Sequence, residues 1–334
     1  MSPDHSDYLV ALERAASVVG DAEELALACH VTPDGDALGS MLGFHHLAVA
    51  NGRTCRSSWP APFVAAPHYR SVPGLDLAIE PSAYPASPAV MVTFDCGSLG
   101  RLKELGQPAR EARASGELIV LDHHASNDRY GTVNVVDTTA AATAVVVREL
   151  ARTLGWELSR SAAWCLYVGL VTDTGRFQYE STTTAVFALA EELSAFDLPV
   201  ARLSRELFEE HRFNYLKLAA RALARAELDS DRGFVSTWVP QTDQDELDVC
   251  YEEIEGLIDW IRTTSEAEVA CVCKQAPDGM RVSLRSLEKV DVGAIATALG
   301  GGGHRLAAGF TMNATVAEVI AAIKALLPDP PYAR

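Results

Sequence analysis

The chain has 334 residues, which at roughly 150 per domain suggests two domains, each large enough to bury its own core. Hydrophobic residues make up 48% and charged residues 22%, which excludes a disordered chain, and no apolar run approaches the roughly 20 residues of a membrane span. With 45 acidic residues against 28 Lys and Arg, the net charge of −17 excludes the broad basic face that long duplex DNA or an anionic membrane requires.

The N-terminus carries Asp4, Asp7 and Glu13 instead of a basic region followed by an apolar core, so it does not read as a signal peptide, and a cytoplasmic location is expected. Seven scattered cysteines form no secreted disulfide framework. Cys271 and Cys273 alternate with Val272 and are expected to pack on one face of a strand.

The first half alternates short apolar strands with helices. Strands are expected at Leu25 to His30, Ala89 to Asp95 and Glu117 to Asp122. Helices are expected at Ala37 to Ala50, Ala140 to Leu154, Ser161 to Val171 and Thr182 to Leu193. Continuous apolar strands separated by helices imply a mostly parallel sheet flanked by helices, with ligands at the carboxyl ends of its strands. The pattern loosens from Asp197 to Arg212. A helix is then expected at Phe213 to Ala226, and a hairpin at Glu227 to Val239 turning at Asp229 to Gly233. A second strand pair follows at Ala267 to Gln275 and Met280 to Ser286. A Gly-rich loop at Gly300 to Gly303, a strand at Gly309 to Met312 and a helix at Val316 to Leu327 complete a smaller mixed α/β domain. The Pro-rich tail Pro328 to Arg334 is not expected to extend that helix. The division expected is 1–196, a linker at 197–212, and 213–330, with the active site in the cleft between the domains.

Several strands end in potential metal ligands. His30-Val31-Thr32-Pro33-Asp34-Gly35-Asp36 lies directly after one strand and before a helix, with three candidate ligands shaped by a Pro/Gly turn. Asp95, the run Asp122-His123-His124, and Asp173 in Thr172-Asp173-Thr174-Gly175 join them. One strand-end Asp is an ordinary helix cap; four such sites on one sheet edge point to metal.

These segments resemble the four signature segments of the DHH phosphoesterase family, and Gly301-Gly302-Gly303-His304 with Ala307-Ala308-Gly309 resembles the loop of its DHH-associated domain. The resemblance implies one metal on His30, Asp34 and Asp95, and a second on Asp36, Asp95, His123 and Asp173, with Asp95 bridging. Four carboxylates and two imidazoles suit two Mn²⁺, with Mg²⁺ or Co²⁺ as substitutes, better than a tetrahedral zinc centre. A water between ions about 3.5–4 Å apart would be aligned for in-line attack. The resemblance places His124 against the scissile phosphate as proton donor, while Asp122 reads as the acceptor that fixes a neighbouring imidazole.

Cations for the substrate are expected from the second domain: Arg262, Arg281, Arg285 and His304, with Ser283 and the backbone of Gly302 and Gly303. In Arg281-Val282-Ser283-Leu284-Arg285 the polar residues would share one strand face. His5, His45, His46, His68 and His211 match no motif and read as structural. The family further implies hydrolysis of short oligoribonucleotides, with rates falling beyond about five nucleotides, and of 3′-phosphoadenosine-5′-phosphate. It extends to cyclic di-AMP as a third substrate and to a homodimer. The rival readings are a manganese inorganic pyrophosphatase and a non-catalytic cyclic dinucleotide sensor.

Overall fold

The computed structural model describes residues 3–329, and it divides into two compact units after Leu207. The first unit runs α1 (Pro3–Asp21), β1 (Glu24–Cys29), α2 (Gly35–Ala50), β2 (Thr54–Ser58), β3 (Val90–Phe94), α3 (Gly106–Ser115), β4 (Glu117–Asp122), β5 (Val133–Val136), α4 (Thr143–Thr153), α5 (Arg160–Asp173), α6 (Thr184–Ser194) and α7 (Val200–Phe208). Its strands form one parallel sheet in the order β2-β1-β3-β4-β5. The three inner strands are the continuous apolar runs of the sequence, covered on both faces as parallel sheets require.

Helix α2 starts where Asp34 accepts the Ala37 N–H at 3.0 Å. It buries Leu38, Met41, Leu42, Phe44 and Leu47, each contributing about 1.5–3 kcal/mol. Glycine lets it touch α5 backbone to backbone: a methyl on Gly39 would lie 2.4 Å from the Cys165 carbonyl oxygen. Since Asp36 sits on α2 and Asp173 ends α5, this close approach fixes the spacing of two acidic groups.

The second unit runs α8 (Phe213–Ala224), β6 (Glu227–Asp229), β7 (Phe234–Val239), α9 (Gln241–Leu247), α10 (Leu257–Ile261), β8 (Val269–Ala276), β9 (Gly279–Ser286), α11 (Val292–Ala298), β10 (Gly302–His304), β11 (Ala307–Met312) and α12 (Val316–Leu326). The sheet order is β10-β11-β9-β8-β7-β6, antiparallel except for the β7–β8 pair. One face packs Cys271, Cys273, Val282 and Leu284 under α11 and α12; the two thiols lie 3.8 Å apart. The other face packs Ala270 and Val272 under α8 and α10. The architecture is α/β, a parallel sheet flanked by helices followed by a smaller mixed domain. No helix among the described residues is long and apolar enough to cross a membrane.

Several elements differ from the sequence reading. The stretch expected as a linker carries α7, whose Leu203 and Leu207 are buried. The helix expected from Ala140 begins at Thr143, because its first N–H groups are taken by Asp36. Only half of the Gly-rich segment is loop: Gly300 and Gly301 turn out of α11, whereas Gly302 to His304 pairs with Ala307 to Gly309. Tail residues 330–334 lie outside the described residues.

Candidate active site

In an open α/β sheet of this strand order, ligands collect where the order reverses, between β1 and β3. His30 follows β1 there, Asp95 follows β3, and Asp122 ends β4. Asp95 adopts a left-handed backbone (φ +53°), uncommon outside glycine, and its N–H donates to the Leu121 carbonyl at 3.0 Å. Its carboxylate is buried at the centre of the cluster. Oδ2 lies 3.6 Å from His30 Nε2, while Oδ1 lies 3.5 Å from both His123 Nε2 and His124 Nδ1 and accepts from Thr143 Oγ1 at 3.0 Å.

The two imidazoles facing Asp95 are held alike. His30 Nδ1 lies 2.8 Å from the Val31 carbonyl, and His123 Nδ1 lies 3.1 Å from that of Ala140. Each carbonyl requires the Nδ1 proton, which turns the Nε2 lone pair inward. His30 Nε2 is buried without a hydrogen bond, 3.6 Å from Asp34 Oδ2. His123 Nε2 lies 3.1 Å from Asp173 Oδ2 and 3.9 Å from Asp36 Oδ2. Asp36 is fully buried; Oδ1 accepts from Ser40 Oγ and the Ala144 N–H, and Oδ2 from the Thr143 N–H. It therefore closes the N-terminus of α4 while keeping lone pairs toward His123.

Among the ligand sets that result are His30/Asp34/Asp95 and Asp36/Asp95/His123, each with donor atoms within 4.8 Å of one another, and Asp95 belongs to both. Anchoring a ring through Nδ1–H to a carbonyl while Nε2 faces carboxylates is how ligating histidines are oriented. These residues fit divalent ions.

Proton affinities show the same crowding. Burial and the Asp95 and Asp173 charges push Asp36 well up. Burial also raises Asp173, against the pull of His123. Asp95 is held well below the usual carboxylate range, because His30, His124 and His123 outweigh its burial. Asp34 is lowered by His30 and the Ala37 N–H, in spite of burial and the Asp95 charge. Burial and the Arg101 charge push His30 down, but Asp34 and Asp95 carry it up to about 9. Burial opposes protonation of His123, and Asp173, Asp95 and Asp36 raise it. The carboxylates thus raise the proton affinity of both imidazoles, and cation binding at the same atoms competes with protons.

Beside the cluster, Asp122 Oδ1 accepts from His124 Nδ1 at 2.7 Å and from the backbone N–H groups of His123 and His124, while Oδ2 accepts from Asn127. Burial lowers the His124 proton affinity, yet Asp122 and Asp95 raise it overall, and His124 with Asn127 hold Asp122 below its usual range.

The expected substrate residues of the second unit fall into two groups. By register, Arg281, Ser283 and Arg285 share a sheet face with Ala307, Gly309, Gly302 and His304, and Val282 and Leu284 are buried behind. Helix α10 packs on that face beside Ala270 and Val272, and Arg262 follows it with Nε 2.8 Å from Asp259. A methyl on Gly302 would meet nothing within 4 Å. Gly303 belongs to the opposite face and is glycine for another reason: φ is +138° and a methyl would lie 2.6 Å from the Ala307 carbonyl oxygen. Arg281 is bound bidentately by Asp278 and lies 4.6 Å over the Tyr251 ring, whereas Arg285 Nε is buried without a hydrogen-bond partner.

Sequence reasoning missed two participants. Thr143 bonds both Asp36 and Asp95, a link no local pattern announces. Arg101, whose carbonyl accepts the Val31 N–H at 3.0 Å, puts a positive charge beside His30; its place six residues after Asp95, in the loop leaving that strand, was the available signal.

The DHH family N-terminal domain matches residues 24–170, and the DHHA1 domain matches residues 233–328. The chain is 32% identical over 289 residues to the bifunctional oligoribonuclease and PAP phosphatase NrnA of Thermus thermophilus, covering 86% of this chain and 83% of that protein. The Bacillus subtilis protein of the same name is 27% identical over 288 residues, covering 84% and 86%. An exopolyphosphatase-related protein from Bacteroides fragilis superposes with a TM-score of 0.85 over 96% of each chain at 22% identity, which shows the shared fold. With both domains in order and the acid–imidazole cluster on the switch-point strands, the chain belongs to the DHH family of phosphoesterases, a hydrolase of phosphate esters.

Proposed function

We propose that the chain hydrolyses short oligoribonucleotides to mononucleotides and 3′-phosphoadenosine-5′-phosphate to AMP, using two divalent ions, Mn²⁺ in preference. The observation that carries this reading is the Asp95 carboxylate, shared by two ligand sets and flanked by the Asp122–His124 pair. His30, Asp34 and Asp95 would hold one ion, and Asp36, Asp95, His123 and Asp173 the other. Such ions supply a water nucleophile at neutral pH and take up charge on the phosphoryl oxygens. The protein supplies the rest. His124, with Nδ1 fixed on Asp122, keeps a proton at Nε2 for the leaving ribose oxygen. Arg101 adds positive charge beside His30 for the substrate phosphate. In the second unit, taken by itself, the face bearing Arg285, Ser283 and the open position at Gly302 offers a cation, a hydroxyl and uncrowded backbone, the groups that bind a phosphate or a base. The names of the relatives support the substrates. A cytoplasmic homodimer belongs to the same reading.

The test is a product time course with Mn²⁺ on di-adenylate, a penta-ribonucleotide, 3′-phosphoadenosine-5′-phosphate, cyclic di-AMP and pyrophosphate. AMP from di-adenylate and from the bisphosphate is expected, with slower cleavage as oligonucleotides lengthen. Orthophosphate from pyrophosphate without AMP from the others would make the chain a pyrophosphatase. Tight binding of cyclic di-AMP with no turnover of any substrate would make it a sensor.

A further inference from the structure

The residues after Asp173 break the backbone rules more than any other stretch of the first unit. Gly175 (φ +53°), Arg176 (φ +62°) and Phe177 (φ +62°) are three consecutive left-handed residues, two of them not glycine. Strain of this kind persists only where the surroundings impose it, and it is an observation from which function is sought. Here the turn is pinned to the end of α5: the Arg176 N–H donates to the Val171 carbonyl at 2.8 Å, and the Phe177 N–H to Thr174 Oγ1 at 3.2 Å. Packing of the Tyr179 ring on Gly175, where a methyl would lie 2.3 Å from Tyr179 Cζ, leaves no room for another residue there.

The product of this turn is an aromatic surface. Phe177 stacks on Phe187 of α6 with centroids 5.6 Å apart and planes 29° from parallel. Phe187 nevertheless remains 55% exposed, so its ring is not taken up by the core. Phe177 follows the cluster residue Asp173 by only four positions, a separation of at most about 14 Å even for extended chain, and the hydrogen-bonded turn shortens it. That distance is within the reach of a base attached to a phosphate at Asp95 and Asp173. The stacked rings are flat, apolar and sequence-tolerant toward any base, which is the chemistry of a nucleobase platform.

We propose that Phe177 and Phe187 form a base-stacking subsite within the catalytic unit, which takes a nucleobase adjoining the scissile phosphate. This rests on the oligoribonucleotide reading above and adds to it a binding site that no sequence motif marked. The strained turn then holds Phe177 against Phe187, and α6 supplies the more exposed of the two rings.

The experiment compares steady-state kinetics of wild type, Phe187→Ala, Phe187→Leu and Phe187→Trp on di-adenylate and di-uridylate with Mn²⁺, with light scattering on each protein. Loss of stacking is expected to raise KM for di-adenylate about 5- to 100-fold in Phe187→Ala, with kcat within about twofold. Phe187→Leu, which keeps apolar bulk without a π face, should resemble Phe187→Ala, and Phe187→Trp should restore wild-type KM. The loss should be larger for di-adenylate than for di-uridylate, because a purine offers more stacking area. An unchanged KM in Phe187→Ala, rescue by Leu as complete as by Trp, or a change of oligomeric state in its place overturns the platform. A wild-type protein that cleaves neither dinucleotide would instead overturn the oligoribonucleotide reading itself.

Discussion

Asp122→Asn separates the holding of ions from the movement of the proton. In the structure Asp122 is fully buried and accepts from His124 Nδ1, two backbone N–H groups and Asn127. Asparagine keeps the shape and one acceptor for the backbone, but its NH₂ must face a donor, and the charge is lost. A hydrogen bond to a charged partner contributes about 1.5–3 kcal/mol, so stability should fall by about that amount. The effect on chemistry should exceed the effect on folding. Asp122 helps to raise the proton affinity of His124, against burial. A proton donor acts in its protonated form, so activity is present below its pKa and lost as pH rises through it. Without Asp122 that loss moves to lower pH, and kcat at neutral pH should drop about 10²- to 10⁴-fold. Because Asp122 belongs to neither proposed ion set, Mn²⁺ content and KM should hold. The assay is kcat and KM on di-adenylate from pH 6 to 9, with metal content by elemental analysis. A second arrangement is geometrically open, in which Asp95, Asp122 and His124 surround an ion. Loss of an ion from Asp122→Asn, or a wild-type kcat with an unmoved alkaline limb, would refute the positioning role.

Two other perturbations test the scaffold. His45, on α2 with Nδ1 2.7 Å from Ser57 Oγ, is pushed down to about 4 by burial and the neighbouring His46. The unfolded chain takes up that proton from about pH 6.5, so the stability it contributes is present above 6.5 and lost as pH falls toward 4, up to about 3 kcal/mol. The fall in urea midpoint from pH 7 to pH 4.5 should therefore be smaller in His45→Gln than in wild type, and an equal fall in both would count against this group. A methyl at Gly169 would lie 2.6 Å from Asp36 Oδ1 and 3.0 Å from Ala144 Cβ. Gly169→Ala should cost about 1–3 kcal/mol by overpacking and, by displacing Asp36, weaken Mn²⁺ binding in a calorimetric titration. Two ions bound with wild-type affinity would show that Asp36 is not a ligand.

The sequence by itself determined the inner strands and what stands at their ends. A strand buried on both faces of a parallel sheet is predominantly apolar, so Leu25 to Cys29, Val90 to Phe94 (with Thr93 its one polar residue) and Leu118 to Leu121 announce themselves, and His30, Asp95 and Asp122 are conspicuous as the ionisable residues that follow them. The same logic hides the edges. β2, with sequence TCRSS, and β5, with VNVV, are covered on one side by a single neighbouring strand and carry no long apolar run, so neither was legible. What only the tertiary structure decided is how distant pieces meet. Asp36 and the Thr143 N–H are 107 positions apart, and their bond both starts α4 and holds a carboxylate in the cluster. The spacing of Asp36 from Asp173 rests on glycines that let α2 and α5 touch, and the common face of Arg285 and Gly302 rests on the register of β9, β11 and β10. Ligand identity is a local property, written by residue type at a strand end. Ligand convergence depends on packing across the whole unit, and no window of the sequence contains it.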